Sequence, residues 1–176
     1  HAGYPYSGPV AAHGFAWLAD QGKPGTAIII GTNHSGRGAS LAIDTQGEWR
    51  TPLGNVPIDS DIANTILDTY SNLEPSKAAF HNEHSIEVQL PFLQHIYGED
   101  FKFVPLSLYA QDQDIALEIG QALNEVTGQD TVVVASSDFS HYEPQEVARD
   151  KDTDAIASIL ELDIASLYEK IEQRNI

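Results

Sequence analysis

Two periods of apolar residues alternate along the chain. Thr26-Ala-Ile-Ile-Ile30 and Thr131-Val-Val-Val-Ala135 are short apolar runs that read as strands buried on both faces, the latter as a central strand. Phe101 to Leu108 reads as a third strand, and its Pro105 predicts an edge position or a bulge. Between the strands the spacing changes to threes and fours. Val10, Gly14, Trp17 and Leu18 mark one face of a first helix, with Ser7 as N-cap, Pro9 in the first turn and Gly22 at its close. Ile62, Ile66, Leu67 and Tyr70 mark a second helix, capped by Asp59 or Ser60. Ile86, Leu90, Leu93 and Tyr97 mark a third, opened by Ser85 and kinked or divided at Pro91. Ile115, Ile119, Leu123 and Val126 give a fourth, and Ala155 to Ile171 a last one. Leu41 to Leu53 predicts a hairpin turning at Thr45-Gln-Gly47, with Trp49 packed over it. Strand alternating with helix predicts an α/β fold: an open mixed or largely parallel sheet with helices on both faces. The length of 176 residues suits a single domain.

Composition narrows the partners. Nine basic against 26 acidic residues give a net charge of −17. With no local basic patch, such a surface repels phosphate and excludes nucleic acid as a natural partner. No apolar run approaches the ~20 residues of a membrane span, so no membrane partner is expected. Cysteine is absent, which removes disulfides and thiolate chemistry from this segment. No stretch reads as a signal peptide, and a cytoplasmic location is expected. Methionine is absent too, and the chain opens on His1, so it is expected to be an internal piece of a longer protein.

The chemistry lies in four polar clusters: His1-Ala-Gly-Tyr-Pro-Tyr-Ser-Gly8, Gly31-Thr-Asn-His34, Glu83-His84-Ser-Ile-Glu87 and Ser136-Ser-Asp138-Phe-Ser-His141. In an open α/β sheet the carboxyl ends of the strands share one edge, where ligands bind. His34 follows the first apolar run and His141 the last, so histidines distant in sequence are expected to meet there. Two histidines with a third group suit Fe(II) with open positions, or Zn(II). A further histidine beside the metal, such as His141, could move a proton, with Asp138 orienting it. Glu83 and His84, just ahead of a helix start, are expected to support the site rather than bind metal. His13, His81 and His95 read as structural or solvent-facing. Gly31 to Gly36 lacks the Gly-Lys-Ser/Thr ending of a phosphate loop.

These clusters, with Thr51-Pro-Leu-Gly54 and the continuation Glu83-His-Ser-Ile-Glu-Val-Gln-Leu-Pro-Phe92, closely resemble the Memo family over nearly the whole chain. Its microbial members carry the label AmmeMemoRadiSam system protein B. The resemblance implies a fold like that of the LigB-type class III extradiol dioxygenases, which use non-haem Fe(II). It implies His1 and His34 as metal ligands and His141 as an acid–base histidine paired with Asp138. Tyr6 and Asn33, from the same motifs, are the candidate substrate contacts. Fe(II) is the implied metal, with Cu or Zn as alternatives. The family's third ligand, a cysteine, would lie beyond Ile176, and a further strand would precede His1. Flanking N- and C-terminal segments are therefore expected to be lacking, and two histidines alone to hold metal weakly. The implied activity is redox or oxygenase-like on an unknown small-molecule or peptide ligand. The alternative is a ligand- or peptide-binding protein that keeps the dioxygenase fold without turnover; the animal protein is described as a phosphopeptide-binding adaptor.

Overall fold

The computed structural model of the chain describes all 176 residues, and its elements fall into two compact units. The first comprises His1–Gln111 and Ile115–Ser137, the second Asp112–Asp114 and Asp138–Ile176. The first unit is built on a five-stranded sheet. In chain order its strands are β1 (Thr26–Thr32), β2 (Leu41–Ile43), β5 (Glu74–Pro75), β6 (Lys102–Leu108) and β7 (Thr131–Ala135), arranged β5-β2-β6-β1-β7. Only the β2–β6 pair is antiparallel. This is the expected mixed, mostly parallel sheet, and Ile30 pairs with Ala135, so β1 and β7 deliver their carboxyl ends to one edge.

The helices of this unit are α1 (Tyr4–Asp20), α2 (Ser60–Thr69), α3 (Leu90–Tyr97) and, from Ile115 onward, α4 (Gln113–Val126). Alternate residues of β7 face opposite sides. Val132 and Val134 share a cavity wall with Val10 and Trp17 of α1, whereas Val133 shares one with Ile119 and Leu123 of α4. Helices therefore lie on both faces of the sheet. Ile28, Ile29, Phe103, Val104 and Leu106 are fully buried between them.

Local expectations fare unevenly. Asp59 caps α2, its carboxylate accepting from Ile62 N at 3.2 Å. The segment after Ser85 is divided as its proline requires: a 3₁₀ turn at Glu87–Gln89 gives way to α3, with Pro91 in its first turn. Four readings of this unit need correction. First, α1 begins a turn earlier than Ser7, because Gly3, at φ 105°, turns the chain into Pro5. Its inward face is Ala11, Phe15 and Leu18 rather than Val10, Gly14 and Trp17: Val10 and Trp17 are exposed, while Phe15 stacks on Phe92 at 4.8 Å. Second, the hairpin is β3 (Glu48–Thr51) with β4 (Gly54–Pro57), turning at Pro52-Leu53, because Leu41–Ile43 is drawn into the main sheet beside β6. Trp49 does pack as expected, edge-on to Phe80 and Phe103. Third, Pro105 sits in an interior strand. Its missing N–H faces the β2 side, where the ladder has already ended at Ile43–Leu106 and Asp44 N reaches the Pro105 carbonyl. Fourth, β7 keeps its expected bounds but has β1 as its one partner in this sheet.

The second unit holds α5 (Gln145–Leu160) and α6 (Ile164–Arg174) in place of the single helix expected from Ala155 to Ile171. Leu162 at φ 55° breaks the run, and Asp163 caps α6 by accepting from Ser166 N at 2.9 Å. No helix of the chain is long and apolar enough to cross a membrane.

Candidate metal centre

Directly past β1 the chain turns sharply, and Asn33 makes the turn. Its buried side chain donates from Nδ2 to Arg37 O and accepts at Oδ1 from Gly36 N and Ser35 Oγ, all within 3.1 Å. The substrate contact expected of Asn33 thus meets an amide already engaged inside the loop, and this loop aims His34. The segment carrying Glu83 lies against the same strand end, where Ser85 Oγ donates to Thr32 O at 2.8 Å. That approach depends on Gly31. A Cβ there would sit 2.5 Å from Ser85 Oγ and 2.7 Å from Ile86 Cγ1.

Glu83 ties the two segments together. Its carboxylate, 2% exposed, accepts from His34 N at 2.7 Å, His84 N at 2.8 Å, Ser85 N at 2.9 Å and His34 Nδ1 at 2.9 Å. Burial alone would raise its pKa. The hydrogen bonds from Ser85 N, the His34 ring and the backbone of His34 and His84 outweigh burial and hold the pKa at about 2. A carboxylate in that state only accepts, so His34 Nδ1 carries the proton and Nε2 is the basic nitrogen.

His1 reaches the same condition through a different partner. It is 7% exposed, and its Nδ1 lies 2.9 Å from Ser136 Oγ, directly after β7. Ser136 donates its one hydroxyl proton to Ser85 O at 2.6 Å and accepts from Gln89 Nε2 at 2.8 Å. With that proton placed, His1 Nδ1 must be the donor to Ser136, and its basic nitrogen is also Nε2. Ser136 and Gln89, both buried, escaped the sequence reading, because a polar residue inside an apolar register looks the same as one facing water.

The rings of His1, His34 and His84 gather above these anchors. Their centres are 5.2 Å apart for His1–His34, 5.7 Å for His1–His84 and 4.8 Å for His34–His84. His34, Glu83 and His84 also bring ligand atoms within 4.8 Å of one another. An apolar cavity of about 360 Å³ opens beside His1, lined by Val10, Trp17, Val132 and Val134. Tyr6, exposed on α1, and the exposed His13, His81 and His95 contribute nothing to this cluster. Asp138 and His141 belong to the second unit, where His141 Nε2 lies 3.6 Å from Asp138 Oδ2.

The donor set suits a divalent transition metal. Neutral imidazoles with the outer nitrogen tied to a carboxylate or hydroxyl are the usual form of histidine ligands, and the outer partner fixes both tautomer and ring direction.

The model of the family described as Memo-like protein matches residues 1–176. A MEMO1 family protein of Methanopyrus kandleri is 48% identical over 179 residues, covering 100% of this chain and 63% of its own length. MEMO1 family proteins of Desulfurococcus amylolyticus and Saccharolobus islandicus are 45% and 43% identical, again over 100% of this chain and 63% of theirs. The chain therefore spans a little under two thirds of the curated relatives it matches.

Proposed function

Because this chain belongs to the Memo family, we propose that it carries the metal-binding part of a non-haem redox or oxygenase-like protein, with His1 and His34 as metal ligands through Nε2. The observation that carries the reading is the pairing of the two rings, 5.2 Å apart, each with its Nδ1 proton held by a buried acceptor. Iron(II) is the metal of first choice, with copper or zinc as alternatives; when bound, it supplies Lewis-acid activation and, for iron or copper, one-electron chemistry.

The chain's own residues do the remaining work. Glu83 holds the His34 ring and keeps its outer nitrogen protonated, which leaves the lone pair on Nε2. Ser136, steadied by Gln89, does the same for His1. Val10, Trp17, Val132 and Val134 exclude water from one side of a cavity sized for a small ligand. Asp138 and His141 are the proposed acid–base pair, with Asp138 orienting the ring. Substrate and partners belong to the whole protein, of which this chain is the matched portion.

Titration with Fe(II) under anaerobic conditions tests the reading. One equivalent should bind, and His34→Ala should abolish binding without altering the fold. Oxygen consumption with catechols in the full-length protein then separates turnover from ligand binding alone. Failure of iron and copper alike to bind any preparation would dispose of the proposal.

A further inference from the structure

Folding buries three carboxylates, and their partners differ sharply. Glu83 accepts from four donors, as described above. Asp59 accepts from Thr26 Oγ1 and Ile62 N and lies 3.9 Å from Lys102 Nζ. Asp44, just past β2 and 7% exposed, accepts at its side chain from Trp49 Nε1 alone, at 3.3 Å. A carboxylate offers about four lone-pair sites, and burial with a single donor costs free energy. The Oδ1 atom of Asp44 has no partner, yet it is not sealed in: the one partnerless polar side-chain atom shut away from solvent is Ser107 Oγ. Asp44 therefore opens onto the space beside it.

That space is a surface hollow of about 390 Å³, which Asp44 shares with Trp49, Phe80, Arg50 and Lys77. None of His1, His34, Glu83, His84 or Ser136 lines it. The rings of Trp49 and Phe80 meet edge to face at 5.3 Å and give it an apolar wall. Its cations stand out in so acidic a chain. Lys23, Lys102, Arg149, Lys151 and Arg174 pair with carboxylates, and Lys170 donates to Asp154 O and Ser158 Oγ. Arg37, Arg50 and Lys77 alone hold no side-chain partner among 26 acidic residues, and two of these three lie at this hollow. Glu48, also at the hollow, already accepts from Asn55 Nδ2 at 2.6 Å. A bare cation would be repelled by Arg50 and Lys77, and a bare anion by Asp44 and the neighbouring Glu87. A ligand carrying both signs meets neither penalty.

We propose that this hollow binds the zwitterion of a free amino acid with an apolar side chain. The ammonium group donates to Asp44 Oδ1, the carboxylate is held by Arg50 and Lys77, and the side chain lies along Trp49 and Phe80. Both charged ends then make charge-assisted contacts, the stronger class of hydrogen bond. The indole N–H of Trp49 holds the Asp44 carboxylate in place before the ligand arrives, so less freedom is lost on binding. The site is independent of the metal-centre reading and stands or falls without it.

L-leucine is the probe, added to the full-length protein and followed by titration calorimetry; a Kd of about 1 mM or tighter is expected. Isoamylamine lacks the carboxylate and N-acetyl-L-leucine lacks the ammonium. Each should bind at least about tenfold more weakly, the worth of one hydrogen bond to a charged group. Asp44→Asn, which keeps an acceptor for the indole, and Arg50→Gln should each weaken L-leucine binding by a similar factor, with unchanged circular dichroism spectra. The indole N–H proton resonance that Trp49→Phe removes should shift as L-leucine saturates the parent. Isoamylamine binding as tightly as L-leucine would make the hollow a cation site and overturn the proposal. So would the lack of any saturable L-leucine binding, or binding that leaves both that resonance and the affinity of Asp44→Asn unchanged.

Discussion

A carboxylate that accepts three backbone amides and an imidazole is stabilised as an anion, and Glu83 shows how one side chain can make the site depend on pH. Its pKa falls from 4.5 to about 2 on folding, so its contribution to stability is complete above pH 4.5 and is lost as pH falls toward 2. A shift of that size corresponds to at most about 3 kcal/mol. Glu83→Gln keeps the shape but loses the charge and one acceptor, and should be less stable at pH 7 by about 1–3 kcal/mol. Denaturant unfolding at pH 5 and pH 2.5 should show a smaller acid loss in the variant than in the parent; equal losses would mean that the carboxylate is not what titrates.

At the scale of elements, local signals were legible where one force acts. The apolar runs of β1 and β7 located both strands and the edge they share, and Asp59 marked the start of α2. Signals failed where two faces compete for the same residues. Val10 and Trp17 look like core positions, yet they line an open cavity while Phe15 takes the interior. Pro105 argued for an edge because sequence does not say on which side the partner strand stops. The site followed the same division. His34 was legible from its strand, but the support from Ser136 and Gln89 depends on contacts across 135 and 47 residues. Gly31 is where element packing sets site geometry. Gly31→Ala would force the Ser85–Ile86 segment away from β1, and a destabilisation of about 1–3 kcal/mol is expected, as for overpacking in general. Thermal unfolding measures it; a neutral substitution would show that the loop yields without cost.

For the whole molecule the dominant fact is charge. An excess of 17 acidic over basic residues repels itself, and the basic residues are partly engaged already: Arg174 with Asp150 and Asp154, Lys151 with Glu143. Added salt shortens the reach of the remaining repulsion from ~30 Å at 0.01 M to ~3 Å at 1 M. The melting temperature should therefore rise with sodium chloride over that range, opposite to the response of a fold held by surface ion pairs. A melting temperature that fell with salt would show that the ion pairs outweigh the repulsion.

Amides in surface loops ordinarily trade their protons with water far faster than those of a sheet. The amides of His34, His84 and Ser85 lie outside any strand or helix, yet all three end on one buried carboxylate. None can open for long without disturbing the other two, because releasing Glu83 from one leaves its charge short of partners in a place with little water. The three protons should exchange together, at a common slow rate, although 50 residues separate the first from the second. Two stretches of loop, remote along the chain, thus open and close as one cooperative unit.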